Sequence, residues 1–155
     1  MTSITRGIRN NNPFNIRRSR SRWLGLGVPN GDHSICRDKS FCQFQDMNYG
    51  LRAGLLLIAN YIRYHQCDTI RKIVSRFAPS SENDTSAYIN YCLFDVCGHL
   101  GLDSVSKIDS FRIEVGTDIY FELCRSILKY ESSFFISRQE LRQIYIDFEL
   151  GALRC

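Results

Sequence analysis

Near the end of the chain, the segment IYIDFELGA places Glu149 four residues after Tyr145 and eight after Leu141. On a helix these positions share one face, so the carboxyl stands at the margin of an apolar stripe. Partial dehydration there raises a carboxyl's pKa toward a value suited to protonating a leaving oxygen. That chemistry is general acid catalysis of glycosidic cleavage, and Glu149 is its first candidate. Glu82, in APSSENDTSAY, is the alternative, although charge at a helix start and capping by Asn83 or Asp84 explain that stretch as well. A complementary set lies near the N-terminus. Asn12, Asn15 and Arg17 offer donors and acceptors toward sugar hydroxyls, and Trp23, the single tryptophan, offers a flat apolar face for a pyranose. Asp38 is the nearest second carboxylate, and Tyr88 adds a further ring. The same groups could stack an RNA base, or simply satisfy turn backbone and plug a small ribbon.

Other chemistries are not signalled. The seven cysteines are odd in number and form no CxxC or CxxH pair, so neither a disulfide framework nor a zinc site is expected. No nucleophile elbow, phosphate loop, HExxH or GxGxxG occurs, and the three histidines stand at unrelated spacings, so no metal or cofactor is expected. No apolar run approaches the length of a membrane span. The first twelve residues are polar and basic with no apolar middle, unlike a secretory signal. The expectation is a protein made in the cytoplasm and then virion-associated or released to the cell envelope. Charge is unevenly placed: residues 1–39 hold eight Lys/Arg against two Asp, and the remainder is slightly acidic. Arg17, Arg18, Arg20 and Arg22 imply an anionic partner, peptidoglycan or another anionic glycan. With no continuous basic stripe, nucleic acid is the less favoured partner.

Positioning these groups requires elements of two kinds. Pro13 holds Asn12 out of the helical region, and Phe14–Arg17 alternates apolar and polar as a short strand does. Residues 40–44 read as its partner, making a two-stranded β-ribbon that must lean on helices. The remainder reads as helices over residues 49–64, from Asp68 to Phe77, from Asn83 or Asp84 to Gly98 or Gly101, from Thr117 or Asp118 with Ile119, Leu123, Ile127 and Leu128 inside, and from Ser137, whose Ser-Arg-Gln-Glu start is a capping box. The expected fold is mainly α (α+β), a single domain over 1–155 with a basic loop and ribbon in 1–48 and helices in 49–155.

The blocks RGIRNNNPFNIR, WLG, DKSFCQF, YGLRAGLLLIANY and TIRKIVSRFAPSSENDTSAYI, in that order, resemble a family of small phage and prophage proteins. That family is frequent in gut Bacteroidetes genomes, commonly labelled as virion structural proteins and judged lysozyme-like in fold. The resemblance implies a lysozyme-like domain, peptidoglycan as substrate or ligand, and phage virion proteins as further partners. A weaker similarity, through Asn12–Arg17 and Trp23–Gly25, connects the chain to bacterial glucosaminidases of the lysozyme superfamily. There the catalytic Glu precedes that run, whereas no Glu occurs here before position 82. The similarity therefore implies a permuted order, with Glu149 supplied from the tail. Phe14 stands where the phage family carries a small residue, implying an altered approach for a sugar. The rival expectation is a virion structural protein that keeps the fold without turnover.

Overall fold

A computed structural model of the chain describes residues 4–29, 38–81 and 83–152. Helices dominate it: α1 (Arg6–Arg9), α2 (Met47–Tyr64), α3 (Ile70–Phe77), α4 (Thr85–His99), α5 (Val105–Asp109), α6 (Asp118–Ser132) and α7 (Arg138–Asp147). Local chemistry sets their starts. Side-chain oxygens of Asp46, Thr69, Asp84 and Ser137 accept backbone N–H bonds at the first turns of α2, α3, α4 and α7, and Ser137 with Glu140 completes the capping box. The cap of α3 is Thr69 and not the expected Asp68. The short α1 and α5 are additions to the elements read from the sequence.

Helix α6 is the centre of the molecule and packs against α1, α2, α4 and α7. Its apolar residues Ile119–Phe121, Leu123, Cys124, Ile127 and Leu128 are buried around most of its circumference, as a core helix requires. The polar groups it buries all have partners. Tyr120 Oη donates to the Leu55 carbonyl at 2.6 Å, Ser126 Oγ donates to Asp95, and the Glu122 carboxylate meets Arg125 and Arg138 at 2.7 and 3.1 Å.

The head of the chain is inserted into this framework. Phe14 is fully buried against α2, where a side chain on Gly54 would collide with its ring. This corrects the expectation for Phe14: its ring is core, so a sugar does not approach it. Gly7 answers a second close approach, because a Cβ there would collide with Ser132 Oγ at the end of α6. Ser132 clamps both sides of the head. Its hydroxyl donates to the Pro13 carbonyl at 2.8 Å, and its own carbonyl accepts from Thr5 Oγ1 at 2.9 Å.

The ribbon is a second correction. Among the described residues only isolated antiparallel bridges occur, Arg17 with Phe41 and Leu26 with Phe44. The Asn12 side chain explains the interruption: its oxygen accepts the Ile16 N–H, and its nitrogen donates to the Ile16 and Cys42 carbonyls, each at 3.0 Å. An amide thus takes ladder positions that a strand would use. Asn15, in the left-handed conformation at φ 52°, ends any extended run before it lengthens.

Candidate functional site

Between the inserted head, α2, α3 and the end of α6 lies an open cleft of about 430 Å³. Its lining includes Asn15, Arg17, Trp23, Tyr61, Arg76 and Glu131. Size and composition fall within the range of small-molecule sites: several polar groups set among apolar and aromatic walls.

Glu131 is the carboxylate of this cleft. It sits on the last turn of α6, immediately before the Ser132 clamp, and the left-handed Ser133 closes the helix after it. Asn15 Nδ2 donates to the Glu131 carbonyl at 3.2 Å and to its carboxylate Oε1 at 3.3 Å. Burial pushes the Glu131 carboxyl above its ordinary pKa. The Tyr88 hydroxyl, the Asn15 amide and the Arg17 charge pull in the opposite direction, and burial prevails. A carboxyl so placed, half-buried yet lining an open cleft, holds its proton to higher pH than an exposed glutamate and can deliver it.

Tyr88 lies beside it on α4, fully buried, its ring stacked on Tyr130 at 3.8 Å between centroids. Burial and the Glu131 charge push the Tyr88 phenol well above its usual range, so it remains a neutral hydroxyl. Although that hydroxyl is near enough to stabilise the carboxylate, it meets no described group in full hydrogen-bonding geometry. The Trp23 Nε1 and Asn15 Oδ1 atoms are likewise buried without a partner. Buried polar atoms without partners are costly, and these three lie in or beside the cleft wall.

The structure brings Asn15, Arg17 and Trp23 to the cleft wall, with Tyr88 behind it. Three other candidates lie elsewhere. Asn12 is fully buried with its amide engaged on backbone, so in this conformation it cannot reach a ligand. Asp38 clips the head to the following loop, accepting from Arg6 Nε at 2.7 Å, Asn10 Nδ2 at 2.8 Å and the N–H groups of Ser40 and Phe41 at 3.0 and 2.9 Å. It lines a separate shallow depression, not the Glu131 cleft. Glu149 is exposed in the left-handed turn after α7. Its neighbours are turned to α2: Phe148 packs on Tyr49, and Arg63 donates to the Leu150 carbonyl. The acid that meets Asn15 is therefore Glu131. Glu82 lies outside the described residues, as do His33, Cys36 and Cys155.

The Asp38 clip has a testable consequence. The Arg6 guanidinium and the donated N–H bonds hold its carboxyl well below the usual Asp range. A depressed carboxyl contributes stability above its unfolded pKa, near 4, and that contribution is lost as pH falls. Asp38→Asn is expected to lower the urea midpoint at pH 7, and the gap should narrow as pH falls from about 4 to 3 without closing, because the folded carboxylate is still ionised there. Midpoints measured across this range would reject the clip if the two proteins ran parallel.

Among the described residues no cluster of three metal-ligating side chains occurs, and no helix is long and apolar enough to cross a membrane. The five described cysteines are free, and burial pushes the thiols of Cys92 and Cys124 upward, so they pack as apolar groups.

No protein-family profile matches the chain. Over 91 residues it is 36% identical to Protein P5 of Pseudoalteromonas phage PM2, a stretch covering 59% of this chain and 55% of that protein. The chain thus spans about half the length of the phage protein it matches, and similarity to a phage protein is the relationship the comparison gives.

Proposed function

We propose that this chain is a phage-derived domain that binds and cleaves peptidoglycan-type glycan strands, with Glu131 as general acid. The observation that carries the reading is the Asn15–Glu131 contact inside an open cleft, where burial raises the Glu131 carboxyl. Protonated Glu131 would donate to the glycosidic oxygen as the bond breaks and the sugar acquires oxocarbenium character. Asn15 fixes the carboxyl's orientation, and Trp23 supplies a stacking face. Glu131 is the single carboxylate among the described residues lining the cleft. The second role, attack at the anomeric carbon, then falls to water or to the substrate's own acetamide or hydroxyl. Purified peptidoglycan incubated with the protein should release soluble fragments carrying new saccharide ends, read by mass spectrometry.

A second reading is a virion component that keeps the cleft without turnover, favoured by the similarity to a phage protein. It predicts the protein in stoichiometric amounts in particles and no released fragments at any protein concentration.

A further inference from the structure

The cleft carries a second cation whose role the acid chemistry leaves unexplained. Arg76, on α3, lines the wall with Phe77, Ala78 and Pro79, and its guanidinium lies over the Tyr61 ring at 5.1 Å from the centroid. Ring contact restricts the guanidinium while leaving its in-plane N–H donors unused. Among the described residues no carboxylate pairs with it. Other arginines of this molecule are engaged by acids, Arg71 by Asp109 at 3.0 Å and Arg138 by Asp118 and Glu122 at 3.1 Å, whereas Arg76 combines a ring-held guanidinium with a place in the cleft lining. A planar fork held at a cleft wall without an internal anion is arranged for an external one, and a carboxylate fits it in two-pronged fashion. The surroundings agree. Arg17 lines the same cleft, and burial disfavours the charged form of Glu131, the only described acid there, so the cavity favours a negative group.

We propose that Arg76 is a specificity residue that selects glycans bearing a free carboxylate on the sugar, such as the lactyl ether of strands stripped of their peptides, over neutral amino-sugar polymers. The inference rests on the glycan reading of the cleft and deepens it by naming the substituent that is recognised. It concerns recognition, so it is tested by binding, apart from turnover. Short saccharide strands carrying the lactyl carboxylate, and the same strands with that carboxylate reduced to an alcohol, are titrated calorimetrically into wild type and Arg76→Gln. Wild type should bind the acidic strand about tenfold more tightly, the scale of one charge-assisted contact, and Arg76→Gln should bring the two within about twofold. Arg76→Lys, which keeps the charge without the fork, should restore only part of the preference. Equal affinity of wild type for both strands, or an undiminished preference in Arg76→Gln, overturns the assignment. A preserved preference without strand cleavage would instead refute the catalytic reading and leave this one standing.

Discussion

Glu131→Gln is expected to lower glycan cleavage by roughly 10²- to 10⁴-fold, the usual contribution of a positioned general acid, while leaving the fold intact. Glutamine keeps the size of the side chain and still accepts the Asn15 amide, but it cannot give up a proton. Glu149→Gln, in an exposed turn away from the cleft, should retain wild-type turnover. The pH dependence follows from the same burial. Activity requires protonated Glu131, so the falling limb of the wild-type profile should lie above the ordinary glutamate range. Stability moves oppositely to the Asp38 case. A carboxyl raised in the folded state favours folding most fully below its unfolded pKa, and that advantage is lost as pH rises through the folded value. Glu131→Gln should therefore melt no lower than wild type at pH 7. A thermal scan separates loss of chemistry from loss of structure: a variant that is inactive but cooperatively folded supports the assignment.

Phe14→Ala should cost about 3–5 kcal/mol, the range for removing a large buried aromatic. The ring fills the space that Gly54 leaves open on α2 and is fully buried there. The effect should extend to the site, because Asn15 is the next residue and its amide is what steadies Glu131. Urea denaturation gives the stability loss, and turnover at low temperature, where the variant is still folded, gives the loss of positioning. The converse change, Gly54→Ala, should cost about 1–3 kcal/mol by overpacking the same contact. If Phe14→Ala cost less than about 1 kcal/mol, the inserted head would not be the anchor described here.

Much of the framework was legible because it rests on local signals. The apolar spacing of residues 49–64 and the Ser137–Glu140 capping box appear in the structure where periodicity and cap chemistry place them. The ribbon was not legible, since what interrupts it is a side-chain amide, Asn12, occupying the bonds of a ladder. Alternation of residue types says nothing about such competition. Asn15, Arg17 and Trp23 were chosen by residue type and lie on one cleft wall; Asn12 and Asp38 are the same chemical types used as internal clips. The acid is the instructive case. Glu131 follows Ile127 by four residues and Leu128 by three, so the margin-of-stripe argument made for Glu149 applied to it equally. Nothing in the residue spacing marks where this helix stops. The residue that closes it is a left-handed serine, Ser133, and not the glycine by which such ends are usually recognised. That an acid of α6, and not the tail's Glu149, meets the head's amide depends on long-range bonds through Ser132, which leave no pattern in the sequence.

The most direct measurement is a crystal structure of Glu131→Gln soaked with a peptidoglycan-derived oligosaccharide. The account predicts saccharide density along the wall formed by Asn15, Trp23 and Arg76, with a glycosidic oxygen within hydrogen-bonding distance of the residue 131 amide. Saccharide bound on another face, with residue 131 facing only solvent while the wild-type protein still cuts glycan, would contradict it.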